Sequence, residues 1–197
     1  MTAEGHGLEE SGEGRAASDV SAEADLFWRF SLALYAKPGV KQACLALQDR
    51  LGVDVNVLFF CIWWPSGGKP RLDQEDFDGV LAEAAAWSRQ VVVGLRTVRR
   101  ALGSERAPAA RLDGAALRKK VLAVELEAER LEQAMLVDAA IDRLSAHPSS
   151  EAGTPARTDE EIDRYFSWAG IQRRADDVRD LEAIVGQAIG DPSILQS

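Results

Sequence analysis

The stretch GVDVNVLFFCIWWP, residues 52–65, decides the fold class. Its apolar run from Val55 to Trp64 fits a buried strand or a helix buried on most sides, because periodicity does not separate the two over so short a span. The flanks favour the helix. Asp54 is placed to accept a hydrogen bond from a free amide of a helical first turn, Val53 and Leu58 are set to form a hydrophobic staple, and Pro65 ends the helix.

The segments on either side repeat at helical spacing. Leu26, Phe27, Phe30, Leu34 and Tyr35 form one stripe, with Trp28 beside it, that stops near Lys37 because Pro38 disfavours helical geometry at the preceding residue. Val40, Cys44, Leu47 and Leu51 form a second, closed by Gly52 where a left-handed cap favours glycine. After the loop Ser66 to Pro70, Asp73 is placed to cap a long helix with apolar positions Phe77, Leu81, Ala84, Val91, Leu95, Val98 and Leu102, and Ser88 in the same series. A helix over 113–146 repeats this 4-3 spacing as Leu117, Val121, Val124, Ala128, Leu131 and Met135. Such spacing predicts a coiled-coil-like seam closing an antiparallel hairpin.

The expected fold is therefore all-α: a long antiparallel helical hairpin packed with three shorter aromatic-rich helices, plus a C-terminal helix or helices. Residues 1–24 are expected to be a disordered acidic tail, 25–146 the helical domain, 147–157 a linker, 158–190 an acidic helical segment and 191–197 a tail. The C-terminal segment opens with Thr158 to Glu161, which fits a capping box.

The net charge of −9 is unevenly distributed. Residues 1–25 hold seven acids against one base, residues 26–150 hold 17 bases against 15 acids, and residues 151–197 hold five bases against ten acids. Within the near-neutral middle, residues 89–120 carry nine bases against two acids. That patch is suited to a phosphate, a nucleic-acid backbone or an acidic protein, unless the acidic ends shield it. No nucleic-acid-binding motif accompanies it, so nucleic acid is not the expected partner.

Cys44 and Cys61 sit in apolar helical patterns and read as small buried hydrophobes. With only His6 and His147 besides, no structural zinc site is expected, and neither metal nor cofactor is assigned. The longest apolar run is about half the roughly 20 residues a membrane-spanning helix needs. No secretory signal pattern opens the chain, and a cytoplasmic location is the default expectation.

Three groups of residues are candidates for function. Glu125, Glu129 and Glu132 fall within a sector of roughly 60° on one helix, between the heptad seam and a second apolar stripe of Leu122, Leu126 and Leu136. Carboxylates so placed are open to partial burial and a raised pKa, whereas the commoner outcome is a charged strip paired with arginines. With Asp54 and Asn56 they would line a pocket between the third helix and the 113–146 helix, although for Asn56 helping to cap its helix is the favoured role. Trp28, Trp63 and Trp64, with Arg96, Arg99, Arg100 and Arg106 at the hairpin turn, form a candidate docking surface for another protein. Aromatic stripes at helical spacing are more often plain core.

FWRFSLALY at residues 27–35, CLALQD at 44–49 and GVDVNVLFFCIW at 52–63, with ELEAERLEQ at 125–133, resemble a family of small uncharacterised bacterial proteins known mainly from proteobacteria. The resemblance covers about residues 25–140. It implies domain limits and a bacterial cytoplasmic setting, and it carries no substrate, cofactor or catalytic residue. The expected function is a non-enzymatic protein-interaction or adaptor role. The alternatives are a small-ligand-binding protein or enzyme using the carboxylate and Asn56 pocket, and phosphate or nucleic-acid binding at the basic turn.

Overall fold

The computed structural model describes residues 10–103 and 114–195, with the backbone alone over 10–19. At its centre lies α3 (Val55–Ser66), capped by Asp54, which accepts a hydrogen bond from the Asn56 amide at 3.0 Å. Every residue of α3 from Asn56 to Pro65 is buried, as a helix apolar on all sides requires. Against it α1 (Glu10–Tyr35) stacks Phe27 on Trp63, ring centroids 4.9 Å apart, and meets Phe59 edge-on with Phe30. Each such aromatic removed from water contributes about 1.5–3 kcal/mol. Trp64 is buried too and donates its indole N–H to the Pro70 carbonyl at 2.8 Å.

α2 (Val40–Leu51) ends on Gly52 at a left-handed φ of 69°. Asp73 caps α4 (Gln74–Trp87), accepting from the Asp76 amide at 2.8 Å. A π-helical turn, Ser88–Val92, joins α4 directly to α5 (Val93–Leu102), and this rod packs along α6 (Gly114–Ala146). The packing is antiparallel: Glu83 near the start of the rod pairs with Arg143, and Arg99 near its end pairs with Glu125. α7 (Thr158–Trp168) covers α3, and α8 (Ala175–Ile189) lies on α2. The protein is all-α; among the described residues no strand forms, and an isolated antiparallel bridge joins Pro70 and Ala152.

Several expectations are corrected. The heptad seam fails beyond the middle of the hairpin. Phe77, Leu81, Ala84 and Ser88 are buried, but Val92 replaces Val91 inside, and Val98, Leu117, Val124 and Leu131 are exposed. The π turn accommodates one extra residue, which rotates α5 relative to α4 and breaks the phase that the 4-3 spacing assumes. The buried face of α6 runs instead through Glu125, Ala128, Glu132, Leu136 and Ala139. The backbone of α1 is helical from Glu10, and residues 1–9 of the expected acidic tail lie outside the described residues. Residues 147–157 are docked rather than merely connecting: the Gly153 amide donates to the Lys69 carbonyl at 2.8 Å, and Pro155–Arg157 forms a 3-10 turn.

The capping box expected at Thr158 does not form, since Thr158 is already helical and its hydroxyl is buried without a partner. At the start of α8 the Arg174 backbone amide donates to Asp177 Oδ2 at 2.8 Å, and the Asp177 amide donates to the Arg174 carbonyl at 3.1 Å. Among the described residues, the acids of the C-terminal segment make no ion pair with the bases of residues 89–120. Its acids pair with Arg50 (Asp177, Asp180), Lys37 (Asp191) and Arg71 (Glu160, Glu161), which fasten it to the rest of the bundle.

Candidate functional site

Position along α6 sets the chemistry of the site. Glu125, Glu129 and Gln133 recur every four residues and therefore share one face, while Glu132, a single position from Gln133, points deeper. α5 supplies the counter-charges. Arg96 donates to Glu129 at 2.8 Å and to Glu125 at 3.3 Å, and Arg99 donates to both oxygens of Glu125. These pairs let a row of carboxylates turn inward, where Glu125 is buried. Burial pushes the Glu129 carboxyl above its ordinary range despite Arg96.

Below this row lies a chain of buried polar groups. Asn56 donates its Nδ2 to Glu132 Oε2 at 2.7 Å, and Gln133 donates its Nε2 to Asn56 Oδ1 at 2.8 Å. Glu132 is 0% exposed; burial, seconded by the Asp54 charge, pushes its carboxyl up to about 9 and keeps it neutral at pH 7. Asp54 closes the cluster. Its Oδ2 accepts from the Ser88 hydroxyl at 2.7 Å, and its backbone amide donates to the Tyr165 hydroxyl at 2.8 Å. Asn56 is thus the polar anchor of a pocket, not an accessory cap.

Above the chain opens a groove of about 390 Å³ between α1, α2 and α6, a size that suits a small ligand. Its floor is Asn56, Glu129 and Gln133; its walls are Trp28 and Tyr35 with the leucines Leu32, Leu45, Leu122 and Leu126, all four of them exposed. Two buried polar atoms on its lining lack a hydrogen-bond partner: Ser31 Oγ, on a residue 5% exposed, and Gln133 Oε1, on a residue 2% exposed. Gln133 places its Nε2 2.8 Å from Asn56 Oδ1, which leaves its oxygen as an acceptor.

A family model described as a protein of unknown function (DUF2390) matches residues 26–136, over half of the chain. The chain belongs to the DUF2390 family. No curated protein and no solved structure matches it. Every residue lining the groove, from Trp28 to Gln133, falls inside the DUF2390 span, whereas Tyr165, which braces Asp54 from α7, falls outside.

The sequence-derived candidates divide accordingly. Asp54, Asn56, Glu125 and Glu129 come together on the groove lining, with Glu132 directly bound to Asn56. Trp28, Arg96 and Arg99 also line it. Trp63 and Trp64 are buried and offer no docking surface; the apolar run they end is core. Arg100 pairs with Asp49 on the surface at 3.0 Å, and Arg106 lies outside the described residues. Among the described residues no group of three metal-binding side chains gathers, and no helix is long and apolar enough to cross a membrane.

Sequence reasoning missed Ser31, Gln133 and Tyr165. Gln133 was within reach, four residues beyond Glu129 on the same face. Ser31 gives no signal of its own inside an apolar helix, and Tyr165 arrives through a long-range contact. Asp54 and Arg96 also border a second cavity of about 460 Å³ toward α7.

Proposed function

We propose that this protein binds a small amphipathic molecule in the groove between α1, α2 and α6, with an apolar body against Trp28 and the leucines and a hydrogen-bond-donating head on the floor. The observation that carries this reading is the pair of buried, unpartnered polar atoms, Ser31 Oγ and Gln133 Oε1, on one concave lining. An unsatisfied buried polar atom costs about 1–3 kcal/mol, which a ligand donor returns on binding. The exposed leucines support the same conclusion, because solvent-facing apolar side chains gathered around a concave site mark a surface that becomes covered. A protein-docking role through Trp63 and Trp64 has lost its anchors to the core.

Native mass spectrometry of the purified chain tests the proposal. The expected spectrum shows the wild type carrying a small-molecule adduct that is absent from Leu126→Lys, a substitution at an exposed wall position that leaves the core untouched. Bare wild-type chain, or an adduct that survives in the variant, counts against the groove.

A further inference from the structure

The heptad positions that fail to close the hairpin leave a second apolar surface, away from the groove. Leu117, Val124 and Leu131 on α6 are 51%, 50% and 54% exposed. Spaced seven apart, they fall within roughly 40° of one another on the helix. Lys120 and Glu127 flank them along the same edge, both exposed and, among the described residues, neither in an ion pair.

We propose that this stripe is the contact surface of a symmetric homodimer, in which two α6 helices pack antiparallel with Val124 on the two-fold axis. The stripe complements itself. Turned over about Val124, it sets Leu117 against the partner's Leu131 and Leu131 against the partner's Leu117. The same rotation brings Lys120 to within about one residue of the level of the partner's Glu127, on the same flank, and does so twice. An isologous interface requires this pattern, in which one patch carries both halves of each contact. The seven-residue repeat keeps the stripe on one line along α6, as packing along a second helix of the same period requires. An unrelated partner would have no reason to match both the spacing and the reversal of charge. A three-rung contact is small, so association is expected in the micromolar range.

Sedimentation velocity across roughly 1–300 µM chain covers that range. The wild type is expected to shift from monomer to dimer with concentration. Val124→Glu, which places two carboxylates together on the axis, is expected to weaken dimerisation at least about tenfold, and Lys120→Glu roughly fivefold. The double variant Lys120→Glu/Glu127→Lys is expected to return to within about twofold of the wild type, because both charge pairs re-form with reversed sign. All these positions are solvent-facing, so unchanged far-ultraviolet circular dichroism is expected. A wild type that stays monomeric throughout, or a double variant no tighter than Lys120→Glu alone, overturns the proposal.

Discussion

Glu132 is the residue on which the site turns. It carries no exposed surface, accepts a hydrogen bond from Asn56, and is held protonated by burial and by the neighbouring Asp54 carboxylate. Its folded-state value of about 9 stands against 4.5 for an ordinary carboxyl. Between the two, the folded chain keeps a proton that the unfolded chain has released. Its contribution is therefore complete below about pH 4.5 and declines as pH rises toward 9, by at most about 1.4 kcal/mol per pH unit. Thermal denaturation at a series of pH values should show the melting temperature falling from weakly acid to alkaline conditions. Glu132→Gln, which is neutral at every pH and keeps an acceptor for Asn56, should flatten most of that slope, with Glu129 leaving a residue of it. A wild-type melting temperature that rises over this range, or an unaltered slope in the variant, contradicts the assignment. The grouping of Glu125, Glu129 and Glu132 was legible from helical spacing alone. Their direction was not, because apolar periodicity places charged residues outward; the arginines of α5 make the inward face tolerable for Glu125 and Glu129, and protonation with the Asn56 bond does so for Glu132.

At the scale of elements, the helices whose ends carry local chemistry were the legible ones. Asp54, Asp73 and Gly52 act on their own nearest amides and carbonyls, so their effect is written within a few residues. The π turn at Ser88–Val92 has no such mark, and its extra residue displaced the expected seam from Val91 onward. The contacts of residues 147–157 were hidden for a related reason. The segment's composition is that of a linker, yet Gly153 fits against backbone from elsewhere in the chain. A Cβ there would stand 2.5 Å from the Lys69 carbonyl oxygen and 2.8 Å from Pro65 Cα, and neither atom belongs to a side chain able to swing away. Gly153→Ala should cost about 1–3 kcal/mol by forcing this segment off the end of α3, seen as a lowered denaturant midpoint. An unchanged midpoint would show that residues 147–157 contribute nothing to the packing of the bundle.

Across the whole molecule, the charge of −9 is arranged as fasteners rather than as a field. C-terminal acids bind Lys37, Arg50 and Arg71, and the arginines of α5 bind the carboxylates of α6. Within residues 89–120, Arg96, Arg99 and Arg100 are engaged in ion pairs, whereas Arg89, Arg118, Lys119 and Lys120 are exposed and, among the described residues, form none. The groove sets leucine walls over a hydrogen-bonded floor and lies wholly inside the DUF2390 span. The most direct test is to titrate ¹⁵N-labelled protein with a panel of short alkyl amines and alcohols while following its amide and indole resonances. Binding in the groove requires the Gln133 and Asn56 side-chain amides and the Trp28 indole to move together and saturably, while the Trp64 indole, bound to Pro70 on the far side of the core, stays in place. Saturable shifts centred on other residues, or no shift for any member of the panel, would contradict a ligand site in this groove.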